Sequence, residues 1–198
     1  MKPMQEIETL AIEIAAAARK SFCTLFENGE RYYYCTLYTT GEGHVPSISA
    51  WSWEALALES ARQAEESDTP VSTIADLIKW SYADSPYCCF GDDHFDGVKQ
   101  RYNERPFIAE LENDDWNREL DVRLKAMELA MKMLDDEGIF ALNQPRESVC
   151  VLVEVMPPDK INTEIALRLN RAESPAMQAW LAKRQSRSIC NLESFDRL

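Results

Sequence analysis

Residues 31–40 read RYYYCTLYTT, and this stretch decides the fold. A run of aromatic and β-branched side chains, free of Gly and Pro, specifies an extended strand. A strand with one wet face alternates apolar with polar residues. Here Tyr32, Tyr34 and Tyr38 are as bulky as Tyr33, Cys35 and Leu37. Both faces need cover, so the strand belongs in the middle of a sheet with packing on each side. Gly41-Glu42-Gly43 supplies a turn, and His44–Trp51 returns as the second arm of a hairpin. Pro46 cannot donate to a ladder, which puts that arm at an edge or Pro46 at its start.

Ser148–Met156, SVCVLVEVM, is a second clear strand. Val149, Val151, Val153 and Val155 line one face, and Cys150, Leu152, Glu154 and Met156 the other. Pro157-Pro158 ends it. Helices fill the intervals. Ile7, Leu10, Ala11, Ile14, Ala18 and Phe22 mark one face of a first helix, from about Met4 to about Phe26. Ser52 is placed to cap a helix through about Ala64. Pro70 opens a helix 70–80 with Val71, Ile74, Leu77 and Ile78 on one face.

The strongest periodicity runs from about Asp114 to Glu137. There Trp116, Leu120, Leu124, Met127, Met131 and Leu134 form one apolar stripe, closed by Gly138. Asp135, Asp136 and Glu137 stand at the unfavourable end of its dipole, at a cost of ~0.3–1 kcal/mol per exposed charge. Asn162 reads as the cap of a helix to Leu169. Pro175 starts another, with Met177, Trp180 and Leu181 inward. From about residue 186 the tail is weakly patterned. Few strands and many helices without regular alternation indicate an α+β domain spanning residues 1–198. The expected sheet has three or four mainly antiparallel strands flanked by helices, one of them long and amphipathic.

The formal net charge is -13, and it is uneven. Residues 1–159 hold 14 bases and 30 acids, a balance of -16, while the remainder is mildly basic. An acidic body lacks the clustered Lys and Arg that neutralise phosphates, so nucleic acid is not expected as a partner. It attracts basic proteins instead. No apolar run approaches the ~18 residues of a membrane span. Glu6, Glu8 and Glu13 interrupt the first apolar stretch, which therefore does not read as a signal peptide. Reduced cysteines in a cytoplasmic protein are the expectation for Cys23, Cys35, Cys88, Cys89, Cys150 and Cys190. They contain no CxxC, which leaves a zinc framework without support, and no cofactor is expected. No P-loop, GxGxxG or GxSxG occurs.

Tyr34–Gly43 (YCTLYTTGEG), Trp51–Leu56 (WSWEAL), Lys79-Trp80-Ser81, Leu134–Phe140 (LDDEGIF) and Val151–Pro158 (VLVEVMPP) together carry a resemblance. The chain resembles, over residues 1–170, a bacterial domain family of unknown function, number 4303 of that series. Domains of this kind look similar in size and composition to immunity proteins of bacterial toxin systems, including the SUKH-like group. The resemblance carries no catalytic residues over to this chain.

Two constellations remain. Ser81–Gly97 (SYADSPYCCFGDDHFDG) is the least regular segment, and a short helix from about Phe95 to Asn103 follows it. Cys88, Cys89, Asp92, Asp93 and His94 are metal-ligand or thiol-hydrolase types. Their spacing matches no closed metal site, and an irregular surface loop with a helix cap at Asp92 or Asp93 accounts for them better. Trp51, Trp53, Trp80, Tyr82 and Tyr87 fall at element ends, where an aromatic ring serves either as a core cap or as a binding anchor. The leading expectation is a non-enzymatic protein-binding module, in its most concrete form an immunity-type protein that neutralises a cationic toxin. Its contact residues are Trp51, Trp53, Tyr82, Tyr87, Asp92, Asp93 and His94, and its partner is a basic protein. The alternatives are a small cysteine- or metal-dependent enzyme using Cys88–His94, and a structural or regulatory domain.

Overall fold

The centre of the structure is strand β1 (Tyr32–Thr40), packed on both faces as its composition requires. A computed structural model describes residues 3–195, with side chains over residues 4–186. β1 lies between β2 (Ser47–Ser52) and β3 (Cys150–Met156) in a sheet of order β2-β1-β3. β2 pairs antiparallel with β1, from Tyr32 opposite Ser52 to Tyr38 opposite Ser47, with a register shift between Tyr32 and Tyr34. β3 pairs parallel, from Tyr34 beside Cys150 to Thr40 beside Met156. The sheet is therefore mixed, not mainly antiparallel. The correction follows from chain routing. A hairpin turn reverses direction between β1 and β2. A helical crossover returns the chain so that β3 enters the sheet running the same way as β1.

Two layers cover the sheet. On one face lie α1 (Pro3–Phe26) and α5 (Asn113–Asp136), with Ile14, Phe22, Met127 and Met131 against Leu37, Val151 and Val153. On the other lie α2 (Trp53–Ser67), α3 (Val71–Ile78) and α7 (Pro175–Phe195). There Ile74, Trp80, Met177 and Trp180 meet Tyr34, Trp51, Cys150 and Leu152. The alternation along β3 sends valines one way and Cys150 and Leu152 the other. α4 (Asp96–Asn103) packs on α1, and α6 (Lys160–Leu169) runs along β3.

Ser52 caps α2 as its position predicts, accepting from the Ala55 N–H at 2.9 Å. In α5, Leu124, Met127, Met131 and Leu134 are buried, while Trp116 and Leu120 are only half-buried. The acids at its carboxyl end each have a cation. Asp135 pairs with Arg146, Asp136 with Lys132 and Glu137 with Arg19, which offsets the dipole penalty. Two expectations fail. In α3, Ile74 and Ile78 are buried, but Val71 and Leu77 are 47% and 57% exposed. A two-turn helix lying on one surface buries a stripe too narrow for all four residues.

Asn162 is not the cap of α6. Asp159 is, through the Lys160 N–H. Asn162 is buried against the outer edge of β3, accepting from the Val155 N–H at 3.0 Å and donating to the Val155 carbonyl at 3.1 Å. Asn170 does the same to Val151, at 2.9 and 2.6 Å. The two amides satisfy an edge that otherwise invites another strand. The edge at β2 is closed by the segment that follows α3. Ser49 donates to the Tyr82 carbonyl at 2.8 Å, and the Cys89 N–H donates to the Ile48 carbonyl at 3.0 Å.

A buried ionic cluster pins the β1–β2 turn to α5. Glu119 accepts from Arg105 and Arg123, each at 2.7 Å, and Arg123 reaches on to the Gly43 carbonyl at 2.7 Å. Gly43 sits at φ +61°, and a Cβ there would stand 3.1 Å from Leu120 Cδ1. Conformation and space both require glycine. The tail beyond residue 186 continues helical in α7 to Phe195. Its side chains, Cys190 included, lie outside the described residues.

Candidate functional site

A cleft of about 400 Å³ opens where β3 ends, between α3, α7 and the segment after α3. Its position follows from the parallel pairing. Strands β1 and β3 finish together, Thr40 beside Met156, and the helices that cover the sheet leave a crevice at that end. Trp80, Tyr82 and Trp180 supply aromatic wall. Leu77, Met156 and Pro158 add apolar surface. Glu154 and Asp84 contribute carboxylates, and Lys183 and Arg184 of α7 contribute cations. The volume suits a small ligand or one to two side chains of a peptide.

Glu154 is 5% exposed and is the one charged residue in an otherwise apolar β3. The Tyr34 hydroxyl donates to its Oε2 in a short hydrogen bond. Burial pushes the Tyr34 phenol far above its ordinary range, and the carboxylate beside it pushes further, so the phenol remains a donor. Burial also raises Tyr82, with Cys88 and Glu154 adding to the effect. On the α7 side, the Arg184 guanidinium lies 5.0 Å over the Trp180 ring and donates to the Asp159 carbonyl at 3.3 Å.

Beside the cleft, Lys79 Nζ lies 4.6 Å from the Trp53 ring, 5.5 Å from Trp80 and 5.7 Å from Tyr33. Burial lowers its pKa. The exposed face of Trp53, 43% accessible, is the outer wall of this box.

The residues singled out in the sequence are scattered. Trp51 is fully buried, its Nε1–H donating to the Ser81 carbonyl at 2.7 Å, and it cannot be a contact residue. Trp53 stacks on Tyr33 at 4.3 Å. Tyr82 lines the cleft and packs on Tyr38 at 4.2 Å. Tyr87 is half-buried, its hydroxyl donating to Glu30 at 2.6 Å. Asp92 and Asp93 open a 3-10 turn over Asp92–Phe95, whose amino-terminal neighbour is Gly91, so neither aspartate caps a helix. His94 Nδ1 lies 3.0 Å from Ser21 Oγ on α1. The thiols of Cys88 and Cys89 turn the other way, to Tyr38. Cysteine and imidazole are thus not paired. Among the described residues, no three His, Cys, Asp or Glu side chains are gathered to hold a metal ion, and no helix is long and apolar enough to cross a membrane.

Sequence reasoning missed Glu154, Trp180, Lys183 and Arg184 as site residues. Glu154 carried a signal, being an acid inside an apolar strand. Trp180 read as helix core, which it also is.

A family model described as Domain of unknown function (DUF4303) matches residues 14–171. No curated protein and no solved structure matches the chain.

Proposed function

The chain belongs to the DUF4303 family, and we propose that it is a non-enzymatic protein-binding module that seats a basic segment of a partner in the cleft. Glu154 carries this reading. A buried carboxylate facing an aromatic-walled cleft complements a guanidinium or ammonium group, which gains both charge pairing and stacking on Trp80, Tyr82 and Trp180. Lys183 and Arg184 on the opposite wall set the polarity. They favour a segment with a carboxylate next to its basic residue over a uniformly basic one. The -16 balance of residues 1–159 draws a basic partner from a distance.

Occluding the basic site of a cationic toxin, the immunity-type role, is the form of binding such a surface suits. The setting we propose is a bacterial cytoplasm, where the buried thiols of Cys35 and Cys150 stay reduced. Catalysis has less support. His44 is engaged by Thr40 at 2.6 Å and His94 by Ser21, so among the described residues neither imidazole is paired with a thiol.

Selection from a displayed peptide library tests the reading. Wild-type protein is expected to enrich peptides pairing Arg or Lys with a nearby acid, and Glu154→Gln to lose that enrichment. Enrichment that survives Glu154→Gln, or that favours peptides without basic residues, contradicts it.

A further inference from the structure

We propose that Cys88 and Cys89 are a reversible redox site, in which a hydroperoxide oxidises Cys89 and Cys88 then closes a disulfide between adjacent residues. This goes beyond the cleft reading and does not depend on it. Neighbouring side chains in extended chain point apart. Cys89 instead adopts the left-handed conformation, φ 59°, which turns its side chain back toward Cys88. The two Sγ atoms stand 3.8 Å apart. Backbone bonds hold this turn, from Cys88 N–H to the Ser85 carbonyl at 3.1 Å and from Cys89 N–H to Ile48 of β2 at 3.0 Å.

Access and polarity divide the roles. Cys89 is exposed and meets the oxidant first, while Cys88 is half-buried behind it. The Tyr38 hydroxyl lies 2.8 Å from Cys89 Sγ and 3.3 Å from Cys88 Sγ, placed to donate to a thiolate on Cys89. Burial and the two neighbouring sulfurs hold the Tyr38 phenol protonated, and burial likewise favours the neutral thiol of Cys88. Stacking on Tyr82 fixes the Tyr38 ring. Cys35 and Cys150 are fully buried, and Cys23 sits apart on α1.

The chemistry balances. The Cys89 thiolate attacks the distal peroxide oxygen, the O–O bond breaks, and alcohol or water leaves with a proton from solvent. Cys89 is then a sulfenic acid. The Cys88 sulfur attacks it, the S–O bond breaks, and water carries away the thiol proton. One hydroperoxide is reduced for one disulfide formed. Adjacent Cα atoms are about 3.8 Å apart, closer than the ~4.4–6.8 Å of ordinary disulfides, so the ring is strained and easily reduced by a dithiol.

The test is mass spectrometry of the full-length protein treated with stoichiometric hydrogen peroxide, alkylated and digested with trypsin. Residues 80–99 form one peptide containing no other cysteine. It is expected to be lighter by two hydrogens, unalkylated, and restored by dithiothreitol. In Cys88→Ser, Cys89 is expected to be trapped as a dimedone adduct. Two alkylated thiols in the treated wild type, direct passage to sulfinic acid, or a Cys88→Ser protein without the adduct would overturn the proposal.

Discussion

Asn162 and Asn170 stand in for the strand that β3 lacks on its outer side. Each amide presents one acceptor and one donor in the geometry of a neighbouring chain, to Val155 and Val151 respectively. Asparagine is favoured both as a helix cap and as an edge partner, and local sequence does not separate the two uses. That is why Asn162 reads as a cap while Asp159 is the actual one. Replacing Asn170 by Ala strands the Val151 N–H and C=O in the interior. At ~1–3 kcal/mol for each buried group left without a partner, the variant should lose about 2–6 kcal/mol. Urea unfolding measures this, and a loss under ~0.5 kcal/mol, the range of surface changes, contradicts the edge role. The legible residues were those with one use. Met177 reads as inward-facing and is fully buried, and Ser52 reads as a cap and caps.

At the scale of elements, periodicity carried far. α1 and α5 lie within one residue of their expected limits, and β1 starts one residue later than its composition indicates. Long stripes are legible because many residues vote. α3 is short, so Val71 and Leu77 carried equal weight with Ile74 and Ile78 although only the latter are buried. Leu124 sits at mid-stripe in α5, 7% exposed, against the α1 and sheet core. Leu124→Ala should cost ~2–5 kcal/mol through lost transfer and the cavity left behind. A denaturant midpoint unchanged from wild type contradicts the placement. The parallel direction of β3 was not legible. Nothing in residues 148–156 states which way the crossover returns the chain, and both directions bury SVCVLVEVM equally well.

At the scale of the whole molecule, charge and site are decided by residues distant in sequence. Burial alone would raise the Glu119 carboxyl, but the hydrogen bonds and charges of Arg105 and Arg123 outweigh it and hold the group below its ordinary range. A depressed folded pKa means stability that is complete above the unfolded value, about 4.3, and lost as pH falls through the folded one. Acid also relieves repulsion among the excess carboxylates, so the wild-type curve alone does not isolate the cluster. Glu119→Gln does. The variant should be less stable near neutrality and lose less than wild type between pH 5 and about 2 by chemical denaturation. Parallel curves for the two proteins contradict the cluster's role.

The cleft gathers Trp80, Tyr82, Glu154, Trp180 and Lys183 from three stretches of chain, and no local pattern joins them. The loop Cys88–His94 looked denser in chemistry, yet its imidazole and its thiols face opposite ways. The most direct test of the binding account is the set of five tryptophan indole resonances, recorded by nuclear magnetic resonance while a peptide selected by the wild-type protein is added. The Trp80 and Trp180 signals should shift and saturate together, with Trp51 and Trp116 unmoved and Glu154→Gln abolishing the response. Shifts confined to Trp116 or Trp51, or a response unchanged in Glu154→Gln, would contradict the assignment of this cleft as the binding site.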